Sequence, residues 1–288
     1  MILPVYFDSK KSLNLLGMNQ NFDFLKDIFI NNKLPKVLML SGKKGSGKST
    51  IVNHLMYYIF DKENYNLERY ELNLNTSFYN QFLNDIYSNI IYLSGSDFNH
   101  VKIDDIRNLK GKIFQTSISE KPRFIILDDV ELFNISSLNG LLKIIEEPFK
   151  NNFFILINNK SKPLLETIKS RCIEIKIILS EKKRLTIIED LVKKFGINSI
   201  LDPKSSQLSP GHYMKFNYIF EEYKINPDKD FLKNLSILLN LYKKNKEVIF
   251  IDMILFLTNS YFNYAKEKNL FSNEKIYENK NFIFKNIN

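Results

Sequence analysis

The sequence predicts an α/β fold, a parallel sheet covered on both faces, with helical domains after it. Three observations predict it. The runs KVLML, RFIILDD and NFFILINN are uninterruptedly apolar and alternate with helical stretches, the pattern of strands buried on both sides. The first run ends directly at a glycine-rich stretch, SGKKGSGKST, residues 41–50. From Ser180 onward helical patterns dominate, broken at SSQLSPGH and NPDKD.

Taken in order, residues 14–33 read as a turn at Gly17 and then an amphipathic helix. Phe22, Leu25, Ile28 and Phe29 share one face of it. Pro35 punctuates the chain, KVLML is a short strand, and TIVNHLMYYIF is helical by pattern. Residues 61–88 are polar, rich in Asn and Tyr, and show no assignable period. NIIYLSG reads as a strand, and HVKIDDIRNLKGKIFQTS as a turn leading into a helix. RFIILDD is a buried strand ending in two carboxylates. ISSLNGLLKIIEEP is a helix with Leu138, Leu141, Leu142 and Ile145 inward, stopped by Pro148. NFFILINN is another buried strand and CIEIKIIL a half-alternating one. EKKRLTIIEDLVKKF, KDFLKNLSILLNLYKK and EVIFIDMILFLTNSYFNYAKEK then read as helices. The shift in character divides the chain into an α/β domain over residues 1–179, a small helical domain over 180–224 and a terminal helical domain over 225–288.

Composition narrows the class. Lys+Arg 41 against Asp+Glu 32 gives a net charge of +9, which favours polyanions such as nucleotide or nucleic acid. An AT-rich genome would write the same excess of Lys, Asn, Ile and Phe. A single cysteine, Cys172, excludes an internal disulfide framework and a four-cysteine zinc site. His54, His100 and His212 are far apart and have no ligand spacing. MILPVYFDSKK lacks the apolar run of a signal peptide, and VIFIDMILFL is half the length of a membrane span of about 20 residues. A cytoplasmic location is the expectation.

Residues Gly42 to Ser49 fit Gly-x-x-x-x-Gly-Lys-[Ser/Thr] in full, between a strand and a helix as a phosphate loop requires. The nucleotide-binding candidates are Gly42, Lys43, Lys44, Gly45, Ser46, Gly47, Lys48, Ser49 and Thr50. Gly42, Gly45 and Gly47 let backbone N–H groups close around phosphate oxygens. Lys48 supplies a charge for the β- and γ-phosphates, Ser49 a hydroxyl for Mg²⁺, and the helix start its dipole. Asp128, ending an apolar strand, fits a Walker B carboxylate that holds Mg²⁺ together with Ser49. Asp129 stands where motor ATPases usually carry a water-orienting glutamate and is one methylene shorter. A misplacement of about 1 Å can cost on the order of 100-fold, so Mg²⁺-ATP binding with weak or absent hydrolysis is expected.

Asn134, then Asn139-Gly140-Leu141-Leu142-Lys143, Glu146-Glu147-Pro148, FFILINN and Thr167-Ile168-Lys169-Ser170-Arg171-Cys172 follow one another in an informative order. This order resembles the bacterial clamp-loader family of AAA+ proteins, in particular DNA polymerase III delta-prime subunits. The resemblance covers about residues 14–178, weakens through SPGH, and beyond 220 rests on helical character alone. It implies a AAA+ P-loop domain with a five-stranded parallel sheet, a helical lid and a C-terminal helical collar.

The same resemblance implies that Arg171 is an arginine finger acting in trans on a neighbour's γ-phosphate, with Ser170 and a buried Cys172 holding the turn. Asn158 becomes the sensor-1 candidate, with Asn159 as its alternative. Two departures accompany Asp129. His212 follows the Ser209-Pro210-Gly211 turn where ATP-using relatives carry an arginine. Residues 61–88 lack the four cysteines that hold zinc in many relatives, so no zinc is expected. The implied partners are tau/gamma motor subunits, the delta subunit, primed DNA and, indirectly, the sliding clamp, in a hetero-oligomer without a membrane role. Two other readings stay open: a self-sufficient AAA+ ATPase, such as a motor subunit or helicase loader, and a small-molecule P-loop kinase, which would need an arginine-rich lid.

Overall fold

The computed structural model describes residues 4–96, 101, 103–114, 121–148 and 151–287. The apolar runs become strands β1 (Val37–Ser41), β2 (Ile90–Ser94), β3 (Arg123–Asp128), β4 (Asn152–Asn158) and β5 (Ile173–Lys176). All pair in parallel, in the spatial order β2-β3-β4-β1-β5. Helices α1 (Asn19–Ile30), α2 (Lys48–Phe60), α3 (Ser77–Leu83), α4 (Ile103–Phe114), α5 (Ile135–Glu146), α6 (Glu166–Lys169) and α7 (Glu181–Phe195) accompany the sheet. The helices α8 (Pro203–Ser206), α9 (Pro210–Glu222), α10 (Phe231–Asn245), α11 (Val248–Glu267) and α12 (Asn273–Ile287) complete the chain.

Side chains alternate across each strand, so an uninterrupted apolar run feeds two cores at once. Leu38, Leu40, Phe124, Ile126, Ile155 and Ile157 join Phe22 and Leu25 of α1, and Ile51 and Leu55 of α2, on one face. Met39, Ile125, Leu127 and Leu156 join Ile106 and Leu109 of α4, and Leu138, Leu141 and Ile145 of α5, on the other. Register aligns Ser41 with both Asn158 and Lys176, and Ser94 with Asp128, so the strand C-termini form one edge.

The structure adjusts several expectations. The buried stripe of α5 is Ser137, Leu138, Leu141, Ile144 and Ile145; Leu142 lies at its margin, partly buried. A helix of 3.6 residues per turn brings 141, 144 and 145 onto one stripe and rotates 142 out of it. Asn134 is the N-cap of α5, its side chain accepting the Ser137 N–H at 2.8 Å. SSQLSPGH is not a continuous break, since α8 runs to Ser206 and α9 begins at Pro210 inside it. The proline supplies a preset φ at the first helical position. Cys172 is half-buried rather than buried, and its thiol donates to Ile168 O at 3.1 Å. The turn expected before α4 falls largely on residues outside the described set, as does His100.

Residues 61–88 hold a short antiparallel pair, Tyr65–Asn66 with Glu71–Leu72, and then α3. Rings carry this segment. Phe78 meets Tyr87 at 4.8 Å and Tyr57 at 5.0 Å between centroids, while Tyr57 also meets Phe82 at 5.4 Å. Edge-to-face geometry dominates these pairs, as the ring quadrupole favours.

Two compact units result. One runs to Phe195 and takes in Gln207–Tyr213; the other comprises Gly196–Ser206 and the chain from Met214 onward. In the second, α11 packs against α10 and α12 and buries Phe250, Met253, Ile254, Leu257 and Phe262. By length and composition alone α11 would also suit a membrane span.

His54 on α2 is fully buried, Nε2 donating to Ser12 O and Nδ1 accepting from the Tyr65 hydroxyl, both at 2.9 Å. Burial lowers its pKa from 6.5 to about 4, so below pH 6.5 the unfolded chain binds the extra proton and stability falls. His54 should remove up to about 3 kcal/mol as pH drops from 6.5 to 4. Chemical denaturation across that window checks this: His54→Asn should show a flatter decline, and identical slopes would refute the assignment.

Candidate nucleotide site

The phosphate loop leaves β1 at Ser41 and enters α2 at Lys48, so it emerges at the edge where the strand C-termini gather. Gly42 N–H donates to Asn158 O at 3.1 Å, and Ile177 N–H to Ser41 O at 2.7 Å, fixing the loop between β4 and β5. A Cβ on Gly42 would lie 2.4 Å from Ile177 O, at a φ of +154°, so the approach of the two backbones excludes any side chain. The first N–H groups of α2, at Lys48, Ser49 and Thr50, point out of the helix start without intrahelical partners, a ready anion site.

Lys48 is 2% exposed. Its ammonium donates to Gly42 O at 2.8 Å and Lys43 O at 2.7 Å, with Ser46 Oγ at 3.4 Å. Burial lowers its pKa to about 8, against the pull of Asp128, Glu131 and Asp129. Lys48 thus curls into its own loop, its ammonium held by backbone carbonyls.

Asp128 lies opposite, at the end of β3. Its Oδ2 accepts from Ser49 Oγ at 2.8 Å and from the Tyr92 hydroxyl at 2.6 Å, and its Oδ1 accepts the Asp129 N–H at 2.9 Å. Burial raises its pKa, as does the Asp129 charge, while these donors oppose the rise. Ser49 and Asp128 offer the hard oxygen donors that Mg²⁺ prefers and already touch each other. The expected metal therefore fits the residues present.

Asp129 is buried with φ +49°, and its Oδ1 accepts from Asn159 Nδ2 at 2.6 Å. Of the two strand-end asparagines, Asn159 thus reaches the carboxylate beside Walker B. The Asn158 side chain turns inward, its Oδ1 accepting the Lys160 N–H at 2.8 Å and its amide facing Met39 Sδ at 3.9 Å. Strand alternation puts neighbouring residues on opposite faces, so only one of them can look into the site. Glu131 is a buried group that the sequence did not single out. Its carboxylate accepts the Asn159 N–H at 3.1 Å and the Ser161 hydroxyl at 2.7 Å, tying down the loop that presents Asn159.

The Ser209-Pro210-Gly211 turn rests on the loop's apex. Ser209 Oγ donates to Lys44 O at 2.5 Å, and Gly211 N–H to Gly45 O at 2.9 Å. A Cβ on Gly45 would come within 2.6 Å of Ser209 Oγ and 2.9 Å of His212 N, so the contact requires glycine there. His212 accordingly stands beside the phosphate loop.

Arg171 is elsewhere. It precedes β5, whose Ile173 pairs with Leu38 at the start of β1, so it lies at the N-terminal edge of the sheet. Gly42 lies four residue steps along the strand from Leu38, about 13 Å, more than an arginine side chain can span in addition to its own offset. Its Nε and Nη2 contact Glu146 Oε1 at 2.8 and 2.6 Å, and its Nη1 donates to Thr167 O at 2.9 Å. Ser170 Oγ donates to Thr167 O at 3.1 Å, closing the same turn. Both partners are substantially exposed, where such a pair contributes at most about 1 kcal/mol, so it orients the guanidinium more than it stabilises the fold.

The buried Lys48 yields a signed test. Between pH about 8 and 10.5 the unfolded lysine holds a proton that the folded one has released, so unfolding free energy rises with pH. Relative to Lys48→Met, the wild type should gain up to about 3 kcal/mol across that range. Denaturant midpoints of both proteins at the two ends check it; parallel pH profiles would contradict the burial of charge.

The chain matches the family described as DNA polymerase III, delta subunit, over residues 17–180. DNA polymerase III subunit delta' of Buchnera aphidicola subsp. Schizaphis graminum is 32% identical over 166 residues, covering 54% of this chain and 49% of the relative. The delta' subunit of Buchnera aphidicola subsp. Acyrthosiphon pisum is 28% identical over 190 residues, covering 64% and 55%. DNA polymerase III subunit gamma of Buchnera aphidicola subsp. Schizaphis graminum is 33% identical over 98 residues, covering 34% and 27%. The chain therefore spans about half, or less, of the length of the curated relatives it matches. Among solved structures, a DNA polymerase III gamma subunit-related protein of Thermotoga maritima aligns with a TM-score of 0.47 at 17% identity, covering 92% of this chain and 90% of that one. With more than half of its length matched, the chain belongs to the DNA polymerase III delta-subunit family and is delta-prime-like.

Proposed function

We propose that the chain is the delta-prime stator of a clamp loader, which binds ATP in its own loop and completes a neighbour's ATPase site with Arg171. One observation carries the reading: the phosphate loop and Arg171 occupy opposite edges of one parallel sheet, so a single protomer can serve two different nucleotides. At its own loop, Lys48 would trade the carbonyls of Gly42 and Lys43 for β- and γ-phosphate oxygens, and the N–H groups at the start of α2 would face the phosphates. Ser49 and Asp128 would hold Mg²⁺, which neutralises phosphate charge. Lys43, Lys44, Gly45, Ser46 and Gly47 would shape the cradle around them.

Hydrolysis there is weak in this reading. Asp129 is short for orienting water and is already engaged by Asn159, which takes the sensor position ahead of Asn158. His212, beside the loop apex, is a poor replacement for a permanent cation on a triphosphate. At the other edge, Glu146 holds the Arg171 guanidinium in a planar, pre-aimed state from which it can pass to a phosphate. Delta and gamma/tau-type subunits are the neighbours, and primed DNA is the polyanion toward which the +9 charge is directed, with an affinity that falls as salt rises. The setting is the cytoplasm.

The test is reconstitution with delta and gamma-type subunits, followed by DNA-stimulated ATP turnover. Arg171→Ala should lower turnover at the adjoining site by about 10³-fold or more, while Lys48→Ala leaves it nearly unchanged. Rapid turnover by the isolated chain, abolished by Lys48→Ala, would instead make it a self-sufficient ATPase.

A further inference from the structure

Tyr92 has no part in the motifs described above, yet its hydroxyl makes a 2.6 Å hydrogen bond to Asp128 Oδ2. In the register of β2 with β3, Tyr92 sits opposite Ile126, two residues before Asp128 on the same face. A phenol spans that diagonal, which a shorter side chain would not. An ionised carboxylate only accepts hydrogen bonds, so Tyr92, Ser49 and the Asp129 N–H all donate to Asp128.

The consequence falls on Ser49. Oδ2 has two in-plane lone pairs; the Tyr92 hydroxyl fills one and the Ser49 hydroxyl the other. Ser49 has one proton and gives it to Asp128, so its own lone pairs turn away from the carboxylate. Lys10 reinforces the arrangement. Its ammonium stands 4.4 Å from the centre of the Tyr92 ring and is paired with Asp85. A cation over the ring draws electron density from the phenol and makes its O–H a stronger donor.

We propose that Tyr92 is a positioning residue for the metal half of the site: by occupying Asp128 Oδ2 it fixes the carboxylate and presents the Ser49 oxygen to Mg²⁺. Lys10 acts through Tyr92 in the same direction. The inference rests on the reading of Ser49 and Asp128 as the Mg²⁺ ligands.

Calorimetric titration of the purified chain with ATP, in Mg²⁺ and in EDTA, separates the two. In wild type, Mg²⁺ should tighten ATP binding. Tyr92→Phe should shrink that gain by about 10-fold or more, as loss of a group supporting a metal ligand does, with ATP affinity in EDTA unchanged. Lys10→Met should show a smaller loss of the same kind. A gain retained in Tyr92→Phe overturns the role of Tyr92 while leaving the function reading intact, and equal losses in Mg²⁺ and EDTA overturn it as well, since they indicate a general structural effect. No Mg²⁺ gain in wild type overturns the ligand reading and this inference together.

Discussion

A parallel sheet has two unlike edges, and the separate placement of the glycine loop and Arg171 follows from that polarity. The C-terminal edge gathers the phosphate loop, Asp128, Asp129 and Asn159, because β1, β3 and β4 all end there. The N-terminal edge receives the end of α5 and the turn before β5, and with them Glu146 and Arg171. Crossover helices return the chain from one edge to the other, so Glu146 and Asn134, at opposite ends of α5, serve opposite edges. No loop rearrangement is needed to keep the arginine away from the glycine loop; chain direction does that.

The C-terminal edge concentrates charge where water is scarce. Lys48, Asp128, Asp129 and Glu131 are all buried, and each is engaged by hydrogen bonds from or to the loops around it. Such groups would be costly without partners, and here the partners also set direction. Glu131 gathers the backbone that displays Asn159, Asn159 meets Asp129, and Asp128 collects Ser49 and Tyr92. The turn at Ser209 and Gly211 meets the same loop from outside through two carbonyls. The loop is thus gripped on its carbonyl side, leaving its N–H side for anions.

Much of this was readable from residues alone because it rests on short-range chemistry. Apolar runs of strand length, a glycine loop in a strand–helix setting, and the Glu-Glu-Pro helix ahead of Arg171 all announce themselves locally. What escaped notice depends on register. Tyr92 becomes part of the site only because β2 pairs with β3 so that 92 and 128 share a face. Glu131 looks like an ordinary charge after a strand, and only the fold brings Asn159 and Ser161 to it. The choice between Asn158 and Asn159 turns on strand phase, which a run ending in two asparagines cannot reveal. Helix α9 was obscured by the proline and glycine that open it, and α12 by a sequence that is polar on average.

The ring cluster of residues 57–87 carries a different lesson. Tyr57, Phe78, Phe82 and Tyr87 pack ring against ring beside the short antiparallel pair of this segment. Contacts of that kind draw on ring area and quadrupole geometry, not on charge. Their vulnerability is volumetric: shaving one of the buried rings, Tyr57, Phe78 or Phe82, to a methyl removes the partner of several others at once.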